Sequence, residues 1–183
     1  MTDNNASLGP TPSQYTGSDL PVEQVSWDDI QIFLERLNEQ EADNLPLGWA
    51  YVLPTEAQWE YACRAGTSTA YSWGGTIAST NANYNASGYS QTRDVGLYAA
   101  NPWGFFDMHG NVWEWTADWY QAAYPTGNPV VDPTGPASGS KRVIRGSSWN
   151  RGGAYQRSAI RYDYTESSRG GFIGFRVGFQ KSQ

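Results

Sequence analysis

Residues 101–119, Asn-Pro-Trp-Gly-Phe-Phe-Asp-Met-His-Gly-Asn-Val-Trp-Glu-Trp-Thr-Ala-Asp-Trp, combine a glycine-punctuated turn, a carboxylate pair and a tryptophan-lined run. From Trp113 the pattern alternates. Trp113, Trp115, Ala117 and Trp119 fall on one side and Glu114, Thr116 and Asp118 on the other, which is the period of a half-buried strand. The apolar face is expected to be core, and the polar face is expected to be free to bind.

Around this strand the chain has 183 residues, 39% of them apolar, which suits one globular domain. Nine Trp, twelve Tyr and six Phe imply an aromatic core, while 20 Gly and 10 Pro imply many turns, so a loop-rich fold is expected over a helical bundle. No stretch approaches the roughly 18–20 apolar residues of a membrane span. The first residues lack the basic and apolar regions of a signal peptide, so a soluble chain is expected, in a compartment the sequence leaves open. The single cysteine, Cys63, excludes an internal disulfide.

Residues 1–20 are polar and without period, and read as an extended arm preceding a domain over 21–183. Ser26 with Asp29, followed by Ile30, Phe33, Leu34 and Leu37, predicts a capped amphipathic helix of about four turns. Trp49–Leu53 is a short apolar segment stopped by Pro54. Thr55 with Gln58 forms a capping box for a second helix to about Arg64, and Gly66 ends it. Residues 67–100 and 120–140 read as long loops. Two further strands are expected, Arg142–Trp149 and Phe172–Gln180, the latter with Ile173, Phe175, Val177 and Phe179 on one face.

The net charge of −6 hides an asymmetry, because residues 141–183 carry nine of the twelve basic residues against only Asp163 and Glu166. These arginines alternate with apolar residues and do not form a run. They are expected to bridge to acids of the first part of the chain, not to bind nucleic acid.

Among groups that carry chemistry, Asp107, Gly110, Val112 and Glu114 place two carboxylates and intervening carbonyls where a hard cation such as calcium could collect oxygen ligands; a hydrogen-bonded turn is the alternative. His109 is the only histidine, so a multi-histidine metal site is excluded. A nucleophile pair of Cys63 and His109 is compatible with one residue of each kind, though helical burial of Cys63 argues against it. No phosphate-binding glycine loop is present. Residues 150–171 mix Tyr, Ser, Gly, Asn and Arg, a palette that serves an adaptable binding surface or an ordinary ordered loop.

Taken together, Pro-Val-Glu-Gln-Val-Ser-Trp-Asp-Asp (21–29), Leu-Pro-Thr-Glu-Ala-Gln-Trp-Glu-Tyr-Ala (53–62), the segment 101–115, Arg-Val-Ile-Arg-Gly-Ser-Ser-Trp (142–149), Arg-Ser-Ala-Ile-Arg (157–161) and Gly-Phe-Arg (174–176) resemble, in this order, the formylglycine-generating enzyme (sulfatase-modifying factor) family. The resemblance implies an α+β, C-type lectin-like fold with two helices, twisted antiparallel strands and much irregular structure. It implies structural calcium at Asp107 and Glu114 by side chain and at Gly110 and Val112 by carbonyl, with a first site using Asn83 and the Tyr84 carbonyl. The chain also appears shorter than the family at its start, without the strands that usually precede residue 21, and a bacterial, phage or archaeal origin is implied.

The departures from the family define the functional expectation. Active members use two cysteines, five residues apart, to bind copper and activate oxygen; the corresponding positions here are Arg151 and Gln156. Neither supplies a thiolate for Cu(I), so copper and the oxidase reaction are not expected. The sulfoxide-synthase branch needs a helical iron domain rich in histidine that this chain lacks. In relatives diversified by retroelements, the segment before Gly-Phe-Arg is a hypervariable ligand-binding region. By that resemblance Tyr155, Gln156, Ile160, Tyr162 and Asp163 are candidate contacts, with Tyr164, Ser167, Gly171 and Phe172. The expected function is a non-catalytic module binding an unknown protein or small ligand on a calcium-braced scaffold. An active or altered oxidase acting on sulfatase cysteines, and a regulatory domain of a larger protein, are the alternatives.

Overall fold

A computed structural model describes residues 11–124 and 131–181. Residues 1–10 of the expected arm, part of the 120–140 loop and the last two residues lie outside the described residues.

Two helices form where their caps predict. Helix α1, Trp27–Gln40, begins at Ser26, whose side chain accepts from the Asp29 N–H while Asp29 accepts from the Ser26 N–H. Helix α2, Glu56–Arg64, repeats the device with Thr55 and Gln58, and ends as Ala65 and Gly66 turn into the left-handed region. The strands are β1 (Trp49–Val52), β2 (Trp113–Trp119), β3 (Arg142–Arg145), β4 (Arg161–Tyr164), β5 (Ile173–Phe175) and β6 (Gly178–Lys181). The fold is α+β, with a four-stranded sheet in the order β4-β3-β2-β5 and a separate antiparallel pair, β1-β6. The β2–β5 pairing is parallel, the others antiparallel.

The core explains the aromatic composition. Trp113, Trp115, Ile144 and Ile173 from the sheet meet Ile30 and Leu34 of α1, with Val25 and Leu53 closing the cluster. Trp115 donates its indole N–H to the Val25 carbonyl at 3.1 Å, so its polar atom is satisfied where water is absent.

Three sequence expectations change. The second face of β2 is also buried: Glu114, Thr116 and Asp118 all lie inside, where α2 brings Trp59 to Glu114 and the Glu56 N–H to Asp118, Arg176 joins Glu114, and Thr116 donates to the Val143 carbonyl. Strand β3 stops at Arg145 and does not reach Trp149, since Gly146 and Ser147 adopt positive φ of 84° and 64° that no strand continues through. The apolar alternation of 172–180 is two strands in two sheets, broken at Arg176 and Val177; Ile173 is core, while Val177 and Phe179 are exposed. The expected bridging of the arginines is observed: Arg145 pairs with Glu56 and Glu60, Arg161 with Glu56, Arg169 with Asp29 and Arg176 with Glu114.

Residues 11–20 lie against the domain. The Tyr15 N–H donates to Glu23 at 2.8 Å, and the Tyr15 ring meets Trp149 edge-on at 6.1 Å. Among the described residues no helix is long and apolar enough to cross a membrane.

Candidate functional site

The turn before β2 brings Asp107, Gly110, Val112 and Glu114 to one cavity of about 450 Å³, shared with Phe105, Phe106 and Arg176. Gly110 is required there: its φ is 100°, and a Cβ would collide with the Asn83 carbonyl. The two carboxylates differ in their partners. Glu114 receives the Trp59 indole N–H at 2.6 Å and a two-pronged contact from Arg176, at 2.5 and 2.6 Å. Asp107 receives only the Gly96 N–H, at 2.7 Å, among the described residues. Burial raises its pKa above the ordinary carboxylate value. Neither Trp59 nor Arg176 is singled out by the motif spacing; only the excess of arginine after residue 141 points to such a partner.

Asn83 and Tyr84 are placed differently. The Asn83 side-chain oxygen accepts from the Ser87 hydroxyl at 2.8 Å, and its amide donates to the Gln91 carbonyl and to Asn111. The Tyr84 carbonyl accepts from both the N–H and the hydroxyl of Ser87, at 2.9 and 2.6 Å. Ser87 has one hydroxyl proton for these two oxygens, so it reaches one of them at a time, while its N–H stays on the Tyr84 carbonyl.

Position 156, one of the two where the family resemblance places a cysteine, holds a fully buried glutamine. Its amide donates to the carbonyls of Ser148 and Arg151, at 3.1 and 3.3 Å, and its backbone carbonyl accepts from His109 Nδ1 at 2.6 Å. That bond puts the imidazole proton on Nδ1, leaving Nε2 to accept from the Ser72 N–H at 3.2 Å. Cys63 Sγ lies 3.6 Å from the same Nε2, so the structure does join the lone Cys and the lone His. Both are kept neutral by burial, which pushes the thiol up to about 12 and the imidazole down to about 4. A thiolate–imidazolium nucleophile needs the opposite shifts. The pair is a buried hub tying α2, residue 72 and residue 156 together.

Of the expected contact residues, Tyr155, Tyr162 and Ser167 are exposed. Tyr162 and Tyr164 share one face of β4 with ring centroids 5.7 Å apart, and Tyr164 lies 6.4 Å from Phe172. Ile160, Tyr164 and Phe172 pack on the core from its edge. Asp163 points to the other face and pairs with Lys141 at 2.5 Å. Gln156 and Gly171 are buried and do not reach the surface. Arg151 is half-buried with its guanidinium 5.8 Å from the Tyr155 ring centroid, beside a 3-10 turn at Gly153–Gln156.

The sequence matches the family described as sulfatase-modifying factor enzyme 1-like domain over residues 2–180. It is 34% identical over 173 residues to the formylglycine-generating enzyme of Streptomyces coelicolor, covering 85% of this chain and 51% of that one. The chain spans about half the length of the curated relatives it matches. Among solved structures it is similar to Treponema denticola variable protein 1, with a TM-score of 0.82, 27% identity and coverage of 93% of this chain and 77% of that one. It is similar also to PvdO from Pseudomonas aeruginosa, with a TM-score of 0.77, 29% identity and coverage of 91% and 64%.

Proposed function

The chain belongs to the sulfatase-modifying factor enzyme 1-like domain family, and from that premise we propose that it is a binding module in which the oxidase site has been replaced. The observation that carries this reading is Gln156, buried and bridging two carbonyls where the family resemblance calls for a cysteine. With Arg151 at the other position and the one thiol locked in the core, no pair of thiolates is available for Cu(I). The binding surface comprises Tyr155, Tyr162 and Ser167 at its exposed parts, with Ile160, Tyr164 and Phe172 as a firm apolar base. Tyrosines give contact area at low entropic cost, and the likeness to a protein named as a variable protein supports the assignment.

A calcium ion fits the cavity at Asp107. Asp107 is a half-buried carboxylate with no cation of the protein's own within 4 Å among the described residues, its charge offset only by the Gly96 N–H and the more distant Arg176, and calcium accepts such mixed side-chain and carbonyl ligation. Asp107 and the carbonyls of Gly110 and Val112 would hold it, with Glu114 joining them only on giving up the Arg176 fork that now takes both its oxygens. Its role is structural, neutralising the turn that leads into β2.

Incubation with copper and a Cys-x-Pro-x-Arg peptide, followed by mass spectrometry, tests the loss of oxidase function. The thiol is expected to persist at the level of the protein-free control. Formylglycine above that level refutes the replacement.

A further inference from the structure

We infer that the binding surface beside the Gly153–Gln156 turn takes an acidic peptide segment of a partner protein, gripped by Arg151, Arg157 and Arg93. The inference rests on the reading of residues 150–171 as the binding surface and names the chemistry of what binds there.

After residue 141 the chain has seven arginines, at 142, 145, 151, 157, 161, 169 and 176. Five of these are paired to carboxylates within 4 Å. The two without a carboxylate, among the described residues, are Arg151 and Arg157, and they bracket the exposed Tyr155. The Arg151 guanidinium makes no hydrogen bond among the described residues and lies towards Tyr155. Arg157 gives only Nε, to the Ala154 carbonyl at 2.9 Å. Gly152 between them is exposed, with nothing within 4 Å of where a Cβ would stand.

Arg93, from the long loop, repeats the arrangement. Its guanidinium sits 4.0 Å from the Tyr89 ring centroid with no carboxylate partner among the described residues. Asn111 clamps the Arg93 backbone by two hydrogen bonds of 2.9 Å, and its own carbonyl accepts from the Trp149 N–H at 3.0 Å. The Asn85 N–H reaches the Arg151 carbonyl at 3.0 Å. The loop bearing Arg93 and the segment bearing Arg151 are thus tied to one corner of the fold.

Guanidinium forks with free donors, those of Arg93 and Arg151 beside a tyrosine ring, match carboxylates that arrive with an apolar flank. The surroundings argue for a peptide over a nucleic acid. Three cations give few phosphate contacts. Carboxylates on a short segment need only local complementarity.

The test uses the intact chain, a short fluorescent glutamate-rich peptide and its glutamine counterpart, read by anisotropy. The glutamate peptide is expected to bind at least about tenfold more tightly than the glutamine one. The double variant R93A/R151A is expected to lose about tenfold while keeping its circular dichroism and thermal midpoint, and R151K to lose less. Equal binding of the two peptides, or an unaltered double variant, overturns the inference. So does tighter binding of a single-stranded oligonucleotide. Selection of a random peptide library on the same protein separates this from the parent reading. Binders without acidic residues that Tyr155→Ala and Tyr162→Ala abolish leave the binding module standing and the acidic ligand refuted. A library in which no binder depends on this surface refutes both.

Discussion

The floor beneath β2 and the rim around Tyr155 are built from the same residue type and use it in opposite ways. On the floor, Arg145 is fully buried and its guanidinium is held by Glu60, by the Ser158 carbonyl at 2.8 Å and by the Ile160 carbonyl at 2.5 Å. On the rim, Arg151 has a tyrosine ring for a neighbour and donors without partners among the described residues. The contrast teaches where the fold needs charge. Charges under a packed helix must be compensated, because a bare one is costly away from water; the Arg145 guanidinium has two carboxylates although its Nε makes no hydrogen bond among the described residues. A surface group carries no such obligation, and Arg93 and Arg151, tied to one corner, are inferred to meet a ligand outside the chain.

The largest expected effect lies on the floor. Arg145→Ala leaves Glu56 and Glu60 facing each other without their shared cation, and should cost about 3–5 kcal/mol in urea unfolding. A cost below about 1 kcal/mol would mean that the floor is as dispensable as the rim.

The buried hub and the floor give the next effect, through pH. His109 is depressed to about 4 from 6.5, so its contribution to stability is full above 6.5 and is lost as pH falls towards 4. Asp118 is raised to about 6 from 3.8, chiefly by burial, so it binds its proton more tightly when folded and the fold weakens as pH rises from 3.8 to 6. Between pH 4 and 6 the two oppose each other. Relative to the parent, Asp118→Asn should therefore show stability climbing with pH over that window, and His109→Gln should show it declining, each by on the order of 3 kcal/mol. Slopes unchanged from the parent would contradict the burial of these groups.

A smaller effect is expected at the turn before β2. Calcium at a hundredfold excess over its dissociation constant should stabilise by about 2.7 kcal/mol and raise the thermal midpoint. The double variant D107A/E114A should not respond. A response equal to the parent's would place the ion elsewhere.

Much of this was legible before the structure, and what was not has a common cause. Both helices and their caps can be read because Ser26 with Asp29, and Thr55 with Gln58, are local signals. Strand β2 can be read from its period. Its buried polar face cannot, because what covers Glu114 and Asp118 is Trp59 and the Glu56 N–H, 55 and 62 residues away. The run 172–180 keeps its alternation across a change of sheet, since period two records exposure and not which strand is the neighbour. At the site, the carboxylate turn and the tyrosine surface were accessible from spacing and palette. The burial of Gln156 and the contact of Cys63 with His109, 46 residues apart, depend on how α2 docks, which no local pattern encodes.

The comparison is tested most directly where the least is expected, by urea unfolding of R93A/R151A beside the parent. Arginines that serve a ligand and not the fold predict a stability within about 0.5 kcal/mol of the parent. A loss of about 2 kcal/mol or more would make the rim a second floor and contradict the account.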